Sequence, residues 1–386
     1  MKYRLLSALL ALVLILLSVI PVSAAVPAPE LPAPSAILIE QSTGTVIFEK
    51  NAHERLAPAS VTKVMTLLLV MEALDSGRIS WDDTVIASEA AAAKGGSQIY
   101  LEAGEAMSMD DMLKSVVISS ANDCAAALAE HVAGSEEAFV AMMNQRAEEL
   151  GMENTHFVNC TGLDDGADAA NHKTSAYDIA LMSRELMKNH PDIKKFTTIW
   201  MDTVRNGQFG LSNTNKLIRF YNGATGLKTG FTSGAGYCLS ATAEREGMEL
   251  IAVVMGCETS NQRTAACKAM LDYGFANYAV ITPELPEAAA VPVTLGKARA
   301  VTAKPESAGG LLIEKGKKSS VTTDVTLEQT LAAPVTRGQR LGTMTVRAGD
   351  EILAEIPLVA GEDVGRLSWG DLFVTVLRRA AMARTE

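Results

Sequence analysis

Two pairs of strand-like segments lie far apart in the chain. Apolar, β-branched runs at 36–40 and 45–48 are separated by the polar turn Ser42-Thr43-Gly44. Runs of the same kind at 237–243 and 250–255 flank a second short polar stretch. An apolar run on each side of a turn is the pattern of a β-hairpin. The sequence therefore predicts two hairpins, separated by almost two hundred residues.

Helical periodicity fills the chain between the two hairpins. Apolar residues recur at three- and four-residue spacings in the segments 61–74, 109–132, 136–150 and 176–188, which predicts helices. Strands at both ends with helices between them predict an α+β fold over residues 35–280. We expect one antiparallel sheet that takes strands from both ends of this domain and carries a helical insert.

The composition changes from residue 282 onward. Prolines at 283, 286 and 292 open a stretch of short alternating segments, of which 342–346 and 351–356 are typical. Such segments predict strands, and no cluster of catalytic residue types accompanies them. We expect a small all-β domain over residues 283–362.

The last segment, residues 366–386, is predicted to be an amphipathic C-terminal helix. Its large apolar side chains share one helical face, with arginines nearby: Trp369, Leu372, Phe373, Val376 and Leu377, with Arg378, Arg379 and Arg384. A helix of this kind can lie flat on a membrane surface, and the alternative is a packed terminal helix. We expect it to attach the protein to a membrane surface.

The N-terminus has the pattern of a secretory signal peptide over residues 1–25. Lys2 and Arg4 precede an unbroken apolar run at 5–20, and small residues suited to cleavage follow,. An uncleaved membrane anchor is the alternative, although the run is shorter than the roughly 18 residues of a typical span. The proline-rich residues 26–34 predict an extended lead-in. The sequence thus predicts an exported protein.

Charge and residue content narrow the classes of function. The 386-residue chain has a formal net charge of -11, whereas binding along phosphates requires a basic face, so we expect no nucleic-acid partner. Its five cysteines are odd in number and form no CxxC pair, which favours buried core thiols over disulfides. There is no HExxH, P-loop or Gly-x-Ser-x-Gly motif, and no histidine pair has metal-ligand spacing. We expect no metal and no cofactor, and a histidine-based serine triad has no evident base.

Three short motifs supply another route to an activated nucleophile. They are Ser60-Val61-Thr62-Lys63, Ser120-Ala121-Asn122 and Lys228-Thr229-Gly230, in that order. Each motif alone has an ordinary interpretation. In the first, Ser60 could cap a helix and Lys63 could be a solvated helix residue. The second motif could be a turn, and the third could be an exposed strand end. Their joint occurrence in an exported chain indicates a serine enzyme.

The pairing of Ser60 with Lys63 has a physical basis in the helix that follows. Residues 61–71 are apolar around nearly the whole circumference, which predicts a helix buried inside the domain. A lysine three residues after the serine lies on the same face, one turn away. Burial can lower a lysine pKa by about 3 to 5 units, so Lys63 could accept the proton of Ser60.

The other two motifs add polar groups that such a reaction needs. Ser120 can relay a proton towards a leaving amine, and the Asn122 amide can orient both Lys63 and a substrate amide. Lys228 adds positive charge to the pocket, and the Thr229 hydroxyl suits a substrate carboxylate.

At these motifs the chain resembles the low-molecular-mass penicillin-binding proteins, specifically the D-alanyl-D-alanine carboxypeptidases of serine peptidase family S11. The similar blocks are residues 57–66, 119–123 and 225–237, and the resemblance extends from about Ser35 to Tyr278 and more loosely through the β domain. It implies a β-lactamase/transpeptidase-like domain followed by the small β domain. The implied enzyme acts outside the bacterial cell membrane, at the cell wall, and removes the terminal D-alanine from peptidoglycan stem peptides ending in D-Ala-D-Ala. β-Lactam antibiotics would inhibit it.

The resemblance also implies roles for individual residues. Ser60 would be acylated by the penultimate D-alanine carbonyl with Lys63 as general base, and Ser120 would complete the catalytic set. Substrate would be bound by Asn122, Lys228, Thr229 and Gly230.

Two further roles follow from the same resemblance. The backbone N–H groups of Ser60 and Phe231 would form the oxyanion hole. Arg263 aligns with an arginine that binds the substrate carboxylate in some members, and a helix-surface arginine is the alternative.

The chain departs from better-known members in having Phe231 where others carry histidine and Cys160 where proline is common. Neither change removes a group that the reaction requires.

Two other functions compete with this interpretation. A serine β-lactamase shares the three motifs but needs a carboxylate to activate the hydrolytic water, for which Glu102, Glu105 and Asp164 are candidates. A non-catalytic peptidoglycan-binding scaffold could retain the same fold, although the intact motifs argue against it.

Overall fold

The computed structural model describes residues 26–166, 168–285, 289–307 and 309–382. The predicted signal peptide lies outside these residues, as does Arg384. The chain divides into two compact units, of which the first comprises Ala28–Thr282 with Gly309–Leu312, and the second includes Pro283–Ala308 and the chain from Ile313 onward. Among the described helices, none is both long enough and apolar enough to cross a membrane.

The first unit combines strands and helices. Its strands are β1 (Ser35–Glu40), β2 (Val46–Lys50), β3 (Thr84–Ile86), β4 (Ala106–Ser108), β5 (Met201–Val204), β6 (Phe209–Ser212), β7 (Ala224–Thr232), β8 (Gly236–Arg245), β9 (Met248–Cys257) and β10 (Tyr278–Ile281). Its helices are α1 (Lys63–Asp75), α2 (Glu89–Ala92), α3 (Met109–Ile118), α4 (Asn122–Ala133), α5 (Glu136–Glu149), α6 (Ala176–Asn189), α7 (Lys194–Thr197), α8 (Leu217–Phe220) and α9 (Ser260–Asn277).

The main sheet joins the two ends of this unit, as the sequence predicts. Its order is β2-β1-β9-β8-β7, and every neighbouring pair is antiparallel. Both predicted hairpins are confirmed, since β1 pairs with β2 and β8 pairs with β9. The α+β prediction, with its helical insert between the strands, is therefore confirmed.

Alternate residues of the central strands bury the two faces of this sheet. Ile37 and Val253 pack with the helical insert in one core, whereas Leu38 and Val254 pack with Met270 of α9 in another. A sheet covered on both faces accommodates nearly continuous apolar runs. In β9, for example, the first eight residues are all buried. The covered sheet gives strand β7, at its edge, a rigid support.

Two helices differ from the sequence prediction. The periodic segment 109–132 forms two helices, α3 and α4, because Ser120 between them has φ +64° and turns the chain sharply. Helix α9 was not predicted, since the small residues Ala266, Cys267 and Gly274 interrupt the large apolar residues of its buried stripe. Small side chains allow a helix to approach a sheet closely but give a weak hydrophobic signal.

The strands beyond residue 289 form the predicted all-β architecture. They are β11 (Ala290–Thr294), β12 (Ala300–Pro305), β13 (Leu311–Glu314), β14 (Val321–Leu327), β15 (Leu331–Ala332), β16 (Arg340–Ala348) and β17 (Glu351–Ala360). Six of them form one sheet in the order β14-β16-β17-β12-β11-β15. The segments 342–346 and 351–356 lie in β16 and β17, which pair as a hairpin.

A C-terminal helix, α10 (Trp369–Met382), follows this sheet. The described side chains of its predicted apolar face are exposed or partly exposed: Trp369, Leu372, Phe373, Val376 and Leu377. An exposed apolar helix face of this kind marks a surface suited to an apolar partner or a membrane.

Candidate active site

Ser60 lies in a short 3-10 turn, Ala59–Thr62, that leads directly into α1. Its hydroxyl is partly exposed and accepts a hydrogen bond from Lys63 Nζ at 3.1 Å. No side chain caps α1, so the helix-cap interpretation of Ser60 is wrong. The preceding residue, Ala59, has φ +47°, a left-handed conformation that costs about 1–2 kcal/mol for a residue with a Cβ. The strain of the turn therefore lies at Ala59, directly before the serine.

Lys63 is fully buried in the first turn of α1. Its amine donates to Ser60 Oγ, to Asn122 Oδ1 at 2.5 Å and to the carbonyl of Thr161 at 2.8 Å. Burial lowers the pKa of Lys63 from 10.5 to about 7, with the nearby Cys160 and Asp123 opposing that change. An amine with this pKa is substantially neutral at pH 7 and can accept a proton.

Asn122 connects this lysine to a neighbouring loop. Besides accepting from Lys63, its side chain donates to the carbonyl of Gly95 at 2.7 Å, and its backbone N–H donates to the carbonyl of Ser97 at 2.7 Å. The side-chain bonds fix the amide so that the oxygen faces Lys63. Asn122 therefore orients the lysine as the sequence suggests.

Ser120 lies between α3 and α4 in a left-handed conformation and is buried. Its hydroxyl is inaccessible and makes no hydrogen bond with any of the described residues. An unpaired buried hydroxyl costs about 1–3 kcal/mol. A group held in this state has its hydrogen-bonding capacity free for an incoming ligand.

Strand β7 brings the third motif to the nucleophile. At Gly230 an added Cβ would lie 2.7 Å from the Pro58 carbonyl oxygen and 3.0 Å from the backbone nitrogen of Ser60. Only glycine allows this close approach of strand and turn. Thr229, one residue earlier, shares a 2.6 Å hydrogen bond with the hydroxyl of Thr214.

Lys228 is buried to the same extent as Lys63. Its amine donates to the carbonyl of Thr229 at 2.9 Å. Burial, followed by the positive charges of Lys63 and Arg263, lowers the pKa of Lys228 well below its usual range. The expected positive charge is therefore disfavoured in the free protein, and an anion that reached this amine would restore it.

Arg263 is not the helix-surface arginine that the sequence offered as an alternative. It is buried in α9 rather than on a helix surface, and it donates to the carbonyls of Gly230 at 3.1 Å and Cys238 at 3.4 Å. It thus braces β7 from behind. Phe231, the next residue of that strand, is 52 % exposed and stacks on Tyr237 with ring centroids 4.2 Å apart.

Sequence reasoning missed the groups that support the nucleophile turn. The Ala59 carbonyl accepts from the Thr62 hydroxyl at 2.8 Å, and that hydroxyl meets His172 Nε2 at 2.8 Å. Gly162, with φ +82°, faces the same carbonyl, and a Cβ there would lie 1.8 Å from it. The only sequence signal was a glycine and a histidine in a polar loop region, far from the motifs along the chain.

The three carboxylates proposed for a hydrolytic water are not equivalent. Both Glu105 oxygens accept from the Arg205 guanidinium, at 2.7 and 2.8 Å, so this carboxylate is already paired. Glu102 and Asp164 are exposed.

The five cysteines are buried free thiols, as expected for core residues: Cys124, Cys160, Cys238, Cys257 and Cys267.

One cluster among the described residues has the residue types of a metal site. Potential ligand atoms of Glu72, Glu185 and His190 lie within 4.8 Å of one another. Arg146 donates to both carboxylates, at 2.8 and 2.7 Å, and His190 pairs with Asp75. The arginine already supplies the positive charge that these carboxylates require.

The chain is similar to known proteins over most of its length. A family model described as D-alanyl-D-alanine carboxypeptidase matches residues 22–259, and a model of the penicillin-binding protein 5 C-terminal domain matches residues 286–366. D-alanyl-D-alanine carboxypeptidase DacF of Bacillus subtilis is 44% identical over 353 residues, covering 90% of this chain and 88% of DacF. DacC of Escherichia coli is 35% identical over 352 residues, covering 88% and 86% respectively.

Solved structures show the same similarity. Penicillin-binding protein 5 from Haemophilus influenzae has a TM-score of 0.78 and 31% identity, covering 89% of this chain and 100% of that one. Penicillin-binding protein D2 from Listeria monocytogenes in an ampicillin-bound form has a TM-score of 0.59 and 32% identity. That match covers 64% of this chain and 100% of the other.

Proposed function

The chain belongs to the D-alanyl-D-alanine carboxypeptidase family of serine peptidases, and we propose that Ser60, Lys63 and Ser120 carry out its reaction. The substrate is a peptidoglycan stem peptide ending in D-Ala-D-Ala, from which the enzyme removes the terminal D-alanine. The observation that carries the proposal is the buried Lys63 amine, with its lowered pKa, hydrogen-bonded to the Ser60 hydroxyl.

The acylation step follows from these contacts. Neutral Lys63 has two N–H groups, which donate to Asn122 Oδ1 and the Thr161 carbonyl, so its lone pair faces the Ser60 hydroxyl and takes the proton. The Ser60 oxygen then attacks the carbonyl carbon of the penultimate D-alanine. The backbone N–H groups of Ser60 and Phe231 stabilise the oxyanion that forms. As the peptide bond breaks, the proton passes through Ser120 to the amine of the leaving D-alanine. Water then hydrolyses the ester on Ser60 and completes the cycle.

Substrate binding involves the opposite wall of the site. The terminal carboxylate is held by the Thr229 hydroxyl and by Lys228, which regains its proton as the anion arrives because the ion pair offsets the cost of burial. Gly230 lets this strand approach Ser60, and Asn122 binds the substrate backbone. Arg263 acts on the carboxylate only indirectly, through its bond to the Gly230 carbonyl.

β-Lactam antibiotics acylate the same serine in this proposal. Their strained amide takes the place of the scissile peptide bond, and the resulting ester is hydrolysed slowly. The β-lactamase alternative requires a carboxylate free to activate water, and the pairing of Glu105 with Arg205 counts against that candidate.

The lifetime of a penicillin adduct separates the three possible functions. The protein would be labelled with a fluorescent penicillin, with Ser60→Ala as the variant and Ser76→Ala, an exposed serine at the end of α1, as the matched control. We expect an adduct that persists for minutes in the wild type and the control and is absent from Ser60→Ala. Release within seconds would indicate a β-lactamase, and no labelling of the wild type would indicate a scaffold.

We propose that the protein is exported through its signal peptide and attaches to the extracytoplasmic face of the cell membrane by α10. The exposed apolar side chains of that helix support attachment to a lipid surface,. Deleting the chain after Gly365 is expected to move the enzyme from the membrane fraction to the soluble fraction while D-alanine release is unchanged. A double change of Trp369 and Phe373 to Ser tests the apolar contact alone, and unchanged fractionation of both variants would refute attachment by α10.

A further inference from the structure

Tyr100 combines two features that are seldom found together. Its backbone has φ +59°, which L-residues with a large side chain rarely adopt. Its side chain is 67 % exposed, so burial of the ring does not compensate for the strain. Strained residues of this kind cluster at ligand-binding and catalytic sites.

Asp123 holds the strained peptide from one side. Its carboxylate accepts from the backbone N–H of Ile99 at 3.1 Å and of Leu101 at 3.0 Å. The side chains of Ile99 and Leu101 are buried in the core. With both neighbours anchored inward, the Tyr100 ring is displayed on the outer surface.

Arg205 holds the same peptide from the other side. Its guanidinium donates to the carbonyls of Ile99 at 2.8 Å and Tyr100 at 3.1 Å, and it is fixed in turn by Glu105. Four hydrogen bonds from two charged side chains therefore enforce one backbone conformation at one exposed tyrosine. Charge-assisted bonds of this kind are roughly twice as strong as neutral ones.

This segment adjoins the proposed active site. Three residues before Tyr100, the Ser97 carbonyl accepts from the backbone N–H of Asn122, and the Gly95 carbonyl accepts from the Asn122 side chain. Asp123, which clamps the strained peptide, directly follows Asn122 in α4. The loop that carries the ring is thus built onto the residue that positions Lys63.

We propose that Tyr100 is a specificity-determining residue whose ring contacts the stem peptide on the N-terminal side of the scissile bond. The inference rests on the proposed function, in which Lys228 and Thr229 hold the terminal carboxylate. With the carboxylate held on β7, we place the preceding residues of the peptide against the opposite wall, which Asn122 and the loop bonded to it form. A rigidly held aromatic ring binds such a chain with little loss of side-chain entropy.

The test replaces the ring while leaving the clamp intact. Tyr100→Gly removes the ring and relieves the left-handed strain, Tyr100→Asn removes it with a residue that tolerates this conformation, and Tyr100→Phe keeps it. Glu246→Gly is the matched control, because Glu246 is exposed and has φ +51°. It lies at the turn of the β8–β9 hairpin, about 30 Å along the strand from Tyr237. Each variant is assayed for D-alanine release from a pentapeptide and from N-acetyl-D-Ala-D-Ala, for fluorescent penicillin labelling, and for Tm.

We expect Tyr100→Gly and Tyr100→Asn to lower kcat/KM for the pentapeptide about 5- to 10-fold, mainly through KM, as loss of one aromatic contact predicts. The rate with the dipeptide should stay within about 2-fold of wild type in both variants. Tyr100→Phe and Glu246→Gly should stay within about 2-fold of wild type for both substrates. The Tm of Tyr100→Gly should be no lower than that of the wild type. Equal loss for both substrates, or no loss for the pentapeptide, overturns the inference. Penicillin labelling that no longer depends on Ser60 would instead overturn the proposed function.

Discussion

Acidification is expected to slow the acylation of Ser60 by protonating Lys63. Lowering the lysine pKa from 10.5 to about 7 corresponds to about 5 kcal/mol of destabilisation of the charged form. Half of the amine is then neutral at pH 7, and about 1 % at pH 5. The rate constant for acylation should therefore fall about 50-fold between these two pH values.

The assay is stopped-flow acylation by a chromogenic or fluorescent β-lactam from pH 5 to pH 9. The relevant neighbours of Lys63 are Cys160, Asp123 and Lys228, and Lys228 also has a lowered pKa. Cys160→Ser keeps a small polar side chain beside Lys63 and serves as a control for the thiol. We expect the same inflection in this variant and in the wild type.

A profile that is flat across this range, or that still rises steeply at pH 9 with no inflection near pH 7, would refute the argument. Either result would mean that Lys63 keeps its ordinary pKa or that another group takes the proton. Loss of the native fold at pH 5 is excluded by recording the near-ultraviolet circular dichroism at each pH.

Other expectations follow from the supports of the nucleophile turn. Gly162→Ala should lower the free energy of unfolding in urea by about 3 kcal/mol or more, because its Cβ would lie 1.8 Å from the Ala59 carbonyl oxygen,. Gly134→Ala is the control, since Gly134 has a similar φ of +83° with open space around it, and this change should cost about 1 kcal/mol. Equal costs for the two variants would contradict the clash at Gly162. Burial lowers the pKa of His172 from 6.5 to about 4, so between these values the unfolded chain binds the proton and the folded chain does not. Stability should fall by up to about 3 kcal/mol as the pH drops through this window, and His172→Gln should flatten that dependence; an unchanged slope in the variant would assign it to other groups.

The sequence predicted the chemistry of the site better than its supports. The burial of Lys63 could be inferred because α1 is apolar on all sides, and that inference agrees with its position in the structure. The bonds of the lysine to Asn122 and to the Thr161 carbonyl bring together residues about 60 and 100 positions apart. Backbone carbonyls carry no residue-type signal, so the Thr161 contact was not predictable from the sequence.

The errors in the fold have physical causes of their own. The break between α3 and α4 was not predicted, because the apolar periodicity of 109–132 continues across it. A single residue in the left-handed conformation, Ser120, makes the turn. The same residue supplies the candidate proton relay. Arg263 could not be placed because the glycine and carbonyl that it braces on β7 lie in a different element.

The central claim is that Ser60 is the acylated nucleophile and that Lys63 activates it. The most direct test is to incubate the protein with a D-Ala-D-Ala thioester or β-lactam, digest it and map the mass of the adduct. We predict the added mass on the peptide containing Ser60, its loss in Ser60→Ala, and at least a 100-fold slower appearance in Lys63→Met, as expected for loss of a general base. An adduct on any other residue, or unchanged acylation in Lys63→Met, would contradict the claim.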